Sequence, residues 1–526
     1  MGYLYINNFK GLVTNVDPRY LQPNKDSAGI ADATVMENME ATREGSLITS
    51  SGYELFSEGV GADGIRNLYN YDKDDDERYL LISAGDHHYS IDPTNVAWND
   101  LGDYGDAASE IGGTTYFGNT AERVAIVGTS GGVNTPQQVD ITNPMNPIGG
   151  TAPKGYIMVP FMGRLFIAVG NILHYSDIED EDSWIGTIKF NDIITGLSVN
   201  GERITVITRT FNQGVVFTYD DSFNLSTPLK EPYERPYGCL APLSVQKVGS
   251  DSYYWSERGV MRLGSEQGID EVGLPRPLSL SKDIEPSLRF TNKKYRNVAR
   301  SAHFEKNQQY WLSVPYGTDQ FPSRTFVYDE TWKIWTLRTG FYPGGLTTAR
   351  DEDYEEQLYF GDHFSQKIYK FNDESYSYDG DGYTRKWVSK VFTFGTSIQY
   401  KRFKRIDIIG SMDSATRFYI TVDVDGTKKK YEIDNTFLIR NSYSNYIGDN
   451  WKGDAWLGGD APSETRFKRF YAPLDFDRDI REGAEIQITL ENSNAEEPFK
   501  IDFIGIDYEI LPTLIKRDRV NTQKTT

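Results

Sequence analysis

Two adjacent histidines, His87 and His88, are the first residues in the chain that invite chemistry, because paired imidazoles are the beginning of a zinc site. Neighbours in a strand point to opposite faces, so these two cannot share one ion without a bulge, and structural roles are expected. His174, His303 and His363 stand singly, with no ligand spacing around them. The one cysteine, Cys239, has no histidine near it in sequence to activate it, so a buried spectator thiol is expected. A single cysteine also excludes an internal disulfide framework and fits folding in a reducing cytosol.

The acidic run Asp72 to Glu77 (DKDDDE) lacks the glycine that a calcium loop places after its carboxylates, and reads as a solvated hairpin tip. Asp379-Gly380-Asp381-Gly382 comes nearer to a cation loop, but a turn is the expectation there as well. The stretch Ser377-Tyr378-Asp379-Gly380-Asp381 approaches the S-x-D-x-G-x-x-T-W box of sialidases, yet puts Asp where the box needs Gly. A glycosidase needs two carboxylates about 5 to 9.5 Å apart, and nothing in the sequence selects a pair. There is no phosphate loop or zinc-spaced Cys/His cluster. No catalytic, metal or cofactor residue is assigned, no cofactor is expected, and the chain reads as no enzyme.

What remains is basic. Lys401, Arg402, Lys404 and Arg405 flank Phe403, and Arg466, Lys468 and Arg469 follow later. Strand alternation puts Lys401, Phe403 and Arg405 on one face, with Arg402 and Lys404 on the other. These seven residues are the candidate contacts to DNA phosphates or to a neighbouring subunit. The competing reading is a solvated charged edge that guards against aggregation.

The elements that carry these residues are strands. Short β-branched and aromatic runs recur between Gly, Asn and Asp turns, most clearly Tyr156 to Pro160, Leu165 to Val169 and Ile172 to Ser176. Similar groups begin near Arg66, Gly113, Ile194, Leu240, Ser301 and Gly345, a spacing of roughly 40 to 55 residues that matches propeller blades. The fold expected is all-β: a β-propeller of about seven degenerate blades, then an antiparallel β-sandwich. Residues 1–60 form an N-terminal segment that could close the propeller, 61–375 the propeller and 376–386 a linker. Residues 387–512 form the sandwich and 513–526 a polar tail that a neighbour could order.

With 526 residues the chain exceeds one ordinary core. Its net charge of −21 is uneven, since 386–526 hold 22 basic and 22 acidic residues, leaving 33 and 54 in 1–385. Such acidity opposes ordinary sequence-specific DNA binding but does not argue against a channel through which DNA slides without sticking. The N-terminus lacks a signal-peptide pattern, and no run approaches the roughly 20 apolar residues of a membrane helix, so no membrane anchor is expected.

Several stretches carry a family resemblance. They are Asn7-Asn8-Phe9-x-Gly11-Leu12 with Asp17-Pro18, Leu21, Asn38, Gly45-Ser46-Leu47 and Gly52-Tyr53 at the start. Later come Pro160-Phe161-Met162-Gly163-Arg164-Leu165-Phe166, Leu173-His174-Tyr175-Ser176-Asp177, Trp184, Tyr253-Tyr254-Trp255 and Gly259-Val260. Together they resemble the nozzle, or tubular tail protein B-like, family of short-tailed bacteriophages, which includes packaged-DNA stabilisation proteins. The resemblance implies a structural virion protein, made in the host cytoplasm and built into the tail. It implies a hexameric ring below the portal and adaptor that conducts DNA without sequence specificity and meets tail fibre or spike proteins. Alternatives are a receptor- or glycan-binding tail protein using Trp451 and Trp456, and less readily a propeller glycosidase.

Overall fold

The structure is a computed structural model. It describes all residues except 1, 19–29, 43, 60, 62, 74–76, 93–95, 104–110, 118–122, 130–134, 140–145, 150, 202, 217–227, 232–233, 265–276, 352–353, 395–398, 440–466 and 512–526. The chain divides into two compact units, one of residues 51–379 and the other of residues 1–50 with 380–526.

The first unit is a β-propeller. Seven strands form its inner ring: Ile65–Asp72, Ile111–Phe117, Ile157–Phe161, Ile194–Asn200, Gln246–Val248, Arg300–Phe304 and Pro343–Arg350. Each begins a four-stranded antiparallel meander. Six of these are free-standing sheets, where about seven blades are expected. The four strands between Arg300 and Arg338 are the exception, hydrogen-bonded in the same order but not closed off as a sheet of their own. The sequence pattern counts strand groups and cannot see where a sheet ends.

Burial explains why these runs are apolar without alternation. In Arg78–Ala84, Leu80 and Ile82 pack with Ala349, Tyr359 and Ile368 of the last blade, while Leu81 packs with Ile111, Ala125 and Val127 of the next. In Arg164–Val169, Leu165 and Ile167 face one neighbour, and Phe166 and Ala168 the other. These second strands are thus buried on both faces and lose the period-two signal, whereas the outer strand Asp180–Lys189 alternates with exposed positions.

The ring closes through Gly52–Glu58, which supplies the outer strand of the last blade by pairing with Lys367–Asn372. Beside it the Gly52 amide donates to the Ser375 carbonyl (2.7 Å), and the Asp379 amide to the Tyr53 carbonyl (2.8 Å). A Cβ at Gly52 would overlap the Ser377 carbonyl, so only glycine permits this approach.

The second unit is a two-sheet sandwich. One sheet runs Lys468–Asp475, Lys401–Met412, Phe499–Ile510, Leu47–Thr49, Met39–Ala41, with Gly2–Ile6 also paired to Phe499–Ile510. The other contains Asn8–Leu12, Ile30–Glu37, Arg385–Ser389, Ile486–Asn492, Phe418–Val424 and Thr427–Ile433. Phe418 joins them, stacking on Phe499 (ring centroids 4.4 Å apart) and meeting Phe470 edge-on (5.7 Å). Phe418–Val424 and Ile486–Asn492 alternate strictly between buried and half-buried positions, as strands with one covered face must.

The expected N-terminal segment therefore splits. Only Gly52–Glu58 closes the propeller, whereas the strands before it belong to the sandwich. The expected linker is not a loose spacer: Tyr378, Tyr383 and Arg385 are buried, with Tyr378 stacked on Tyr53 and Arg385 donating to Asn492 Oδ1 (3.0 Å). Among the described residues no helix is long and apolar enough to cross a membrane. The expected tail, 513–526, lies outside the described residues.

Candidate functional site

Register decides what becomes of the basic cluster. Lys401–Met412 pairs antiparallel with Lys468–Asp475 so that Met412 faces Lys468 and Ser411 faces Arg469. Lys468 and Arg469 therefore sit at the opposite end of the strand from Lys401 to Arg405, roughly 20 to 36 Å away at strand rise. Arg466 lies outside the described residues. One shared phosphate-binding patch is not formed by the residues described.

Each cation near the start of that strand has a partner in its own chain. Lys401 is fully buried and its Nζ donates to the carbonyls of Thr393 (2.7 Å) and Ala484 (2.9 Å). Burial holds its ammonium below the ordinary range, partly opposed by Asp425 and Glu485. Arg402 pairs with Glu482 (2.7 Å) and Lys404 with Glu509 (3.5 Å). A bulge between Phe403 and Arg405 breaks the expected alternation, so Phe403 points inward and Arg405 outward.

Arg405 then joins a hub that sequence reading missed. The Asp407 carboxylate is almost buried and accepts from Arg405 Nε (2.9 Å), the Tyr471 hydroxyl (2.7 Å) and the Tyr3 hydroxyl (3.3 Å). Tyr3 reaches it across Gly505, where any Cβ would strike the Tyr3 hydroxyl. The hydrogen bond to Asp407 raises the pKa of Tyr471, and burial followed by the charge of Asp407 raises that of Tyr3. Three chain segments meet here, and only the odd-even pattern of Lys468–Asp475 hinted that Tyr471 faces outward.

In the propeller, a cavity of about 260 Å³ lies on the axis, lined by residues of all seven inner strands or the turns beside them, including Asn67, Gly113, Tyr156, Leu197, Gln246 and Arg300. Among the described residues its lining holds no Asp or Glu. Its polar groups serve the ring: Arg300 donates to the carbonyls of Gly344 (2.9 Å) and Arg66 (3.2 Å), and Gln246 to that of Ser301 (2.8 Å). Arg300 thereby clasps three consecutive blades. The arrangement can hold a ring shut; it offers no paired carboxylates for glycoside hydrolysis.

The histidines divide as alternation requires. His88 is buried against Ser83 Oγ (2.8 Å), and burial pushes its pKa down to about 4. His87 points outward to Asp100 (3.1 Å), whose hydrogen bond raises its pKa. Cys239 is buried, donates to the Ala241 carbonyl (3.0 Å) and has its thiol pushed up to about 11 by burial. Lys73 pairs with Glu77 across the acidic hairpin (2.7 Å). Among the described residues no three of His, Cys, Asp and Glu converge to hold a metal.

One further surface was not legible in the sequence. In an antiparallel meander the turns from second to third strand and the connections between blades fall at the same end. There Phe321 lies edge-on to Phe364 (4.8 Å) and Tyr342 (5.5 Å) and stacked on His363 (5.1 Å). In the same loop as Phe321, Tyr316 meets Phe290 (6.4 Å), itself 67% exposed. The Gly317 amide donates to the Phe290 carbonyl (2.8 Å) and the His363 amide to the Tyr342 carbonyl (2.9 Å), which fixes the loops. Phe364 remains 54% and Tyr342 39% exposed.

No protein-family model matches the chain, and no curated protein matches it. Among solved structures it is similar to the N-terminal domain of Nup159, at 11% identity over 64% of this chain and 99% of that one, with a TM-score of 0.37. It is also similar to the computationally designed Ika8 protein, at 11% identity over 61% of this chain and 100% of that one, with a TM-score of 0.35.

Proposed function

We propose that this chain is a non-enzymatic subunit of a bacteriophage tail nozzle, and that identical copies form a ring that continues the portal and adaptor channel. The observation that carries the reading is the partition of charge. The propeller unit holds 28 basic and 47 acidic residues, a net −19, and the sandwich unit 27 and 29, a net −2. An acidic wall repels phosphate and so lets DNA slide without sequence-specific adhesion, retained until release. Nothing in the reading needs a cofactor, and the site chemistry above is occupied with holding the fold.

The conduit of such a ring lies between copies and not along a propeller axis. A cavity of about 260 Å³ is equivalent to a sphere about 8 Å across, whereas the major groove of DNA alone is about 12 Å wide. A closed ring of identical copies uses heterologous contacts related by one rotation. Fibre or spike proteins would occupy its periphery.

Quantitative mass spectrometry of density-purified particles tests this. A fixed copy number of about six or twelve per particle is expected for a symmetric tail component. Absence from particles would overturn the reading, as would release of reducing sugar from host envelope material by the purified chain. The residues on which a receptor-binding alternative rested, Trp451 and Trp456, lie outside the described residues.

A further inference from the structure

We infer that the basic, aromatic end of the propeller docks the acidic turn Asp177 to Asp182 of a second copy of this chain, a turn that lies at the opposite end of the propeller. The inference rests on the ring-forming reading above and names the contact between copies.

The receiving surface combines rings with cations. Phe290, Tyr342 and Phe364 are 67%, 39% and 54% exposed, and backbone hydrogen bonds fix their loops beforehand, so little order is lost on binding. The connection that carries Phe290, residues 281–299, holds Lys282, Arg289, Lys293, Lys294 and Arg296 against Asp283 and Glu285, a net +3 within a unit of net −19. Arg289 pairs with Glu285 (2.8 Å), whereas Lys293 and Lys294 are exposed and, among the described residues, form no ion pair. A fitting ligand is therefore anionic with an apolar anchor, since charge complementarity sets register and rings supply binding energy.

The propeller itself has a turn of that composition. Asp177-Ile178-Glu179-Asp180-Glu181-Asp182 sets five acids around Ile178, which is 46% exposed. Arg164 pairs with Asp177 (3.5 Å), but among the described residues no cation pairs with Glu179, Asp180 or Asp182. The Glu179 amide donates to the Gly163 carbonyl (2.6 Å), which fixes the tip. The rival acidic turn at Asp351 is satisfied within its own copy. Lys370 holds Asp351 (3.7 Å), Lys306 holds Glu355 (2.7 Å) and Arg78 covers the Tyr354 ring (4.1 Å).

Topology makes the contact intermolecular. The acidic turn joins the third and fourth strands of its blade, Ile172–Asp177 and Asp180–Lys189, whereas the rings lie on second-to-third turns and blade connections. In a meander those are opposite ends, so one copy cannot bring its own turn to its own rings. A contact between two different surfaces is heterologous, and it closes into a ring when its rotation divides a full turn.

The test uses the full chain and two double variants, Lys293→Glu with Lys294→Glu and Glu179→Lys with Asp180→Lys. Native mass spectrometry should show the unaltered chain assembling, and each variant alone self-associating about tenfold or more weakly, since like charges then face each other. An equimolar mixture of the two variants should assemble as the unaltered chain does, with the two alternating, because each glutamate-bearing end then meets a lysine-bearing turn. That recovery also certifies that both variants are folded. Phe290→Ala should weaken assembly in the same sense, and so should added salt. Full assembly by either variant alone, a mixture of folded variants that stays unassembled, or an unaltered chain that does not self-associate would each overturn the inference. So would loss of duplex DNA binding by the Lys293→Glu, Lys294→Glu variant with its self-association intact, which assigns the cationic end to phosphates. Failure here is separable from failure of the nozzle reading: a chain present in particles whose assembly ignores these charges loses only the inference. A chain that assembles through them but is absent from particles loses only the nozzle.

Discussion

The propeller and the sandwich solve the same problem, how to bury a sheet, in opposite ways. Each propeller blade is covered on both faces by its neighbours, so Leu80, Leu81 and Ile82 can be consecutive and all inside. The sandwich strands are covered on one face, so Phe418, Ile420, Val422 and Val424 are buried while the residues between them are not. The two units also differ in charge balance: the propeller unit is net −19 and the sandwich unit net −2, while both carry ion pairs, such as Arg262 with Asp251 in the first and Arg402 with Glu482 in the second.

The largest break should come from Phe418→Ala, which removes the ring joining both sandwich sheets and should cost about 3 to 5 kcal/mol. Differential scanning calorimetry should find the loss in the sandwich, with amide exchange in the propeller unchanged. Ile82→Ala should cost about 2 to 5 kcal/mol and loosen the seam toward the last blade, exposing amides near Leu358 to Phe360. Leu81→Ala should instead loosen the seam toward Ala125 and Val127. If both substitutions open the same blades, the two-sided account of propeller burial is wrong.

A pH experiment sharpens the same point. His88 keeps a pKa of about 4 because burial disfavours its charge, while the unfolded chain takes up that proton near the ordinary value of about 6.5. Its neutral form is therefore fully accommodated above pH 6.5, and stability should fall as pH drops from there toward 4, by about 3 kcal/mol in total. His87, with its pKa raised by Asp100, acts in the opposite sense, but it is too exposed to offset this. Thermal melts of His88→Gln should lose most of the decline between pH 6.5 and 4.5. The smallest effect belongs to the exposed sandwich pair: Arg402→Ala should shift stability by no more than about 1 kcal/mol, and less in high salt.

Much of the fold was legible because its signals are local. The strand groups near Arg66, Gly113, Tyr156, Ile194, Leu240, Ser301 and Gly345 each became a meander, and the Gly and Asp turns between them fall where the chain reverses. The opposite faces of His87 and His88 and the buried thiol of Cys239 were legible too, since alternation and residue chemistry suffice for both. The extra residue near Lys404 was not, because a bulge is set by what the partner strand Phe499–Ile510 requires.

By itself, then, the sequence determined strand placement, the all-β class and the acidic balance, because hydrophobic period, turn residues and charge are properties of neighbours along the chain. Only the tertiary structure decided that the first fifty residues pair with the last part of the chain, that Tyr3, Tyr471 and Arg405 share Asp407, and that the Phe321 ring cluster gathers at one propeller end. Those pairings join residues separated by up to hundreds of positions, and which of many apolar or charged groups meet is settled by packing of whole sheets rather than by any local preference.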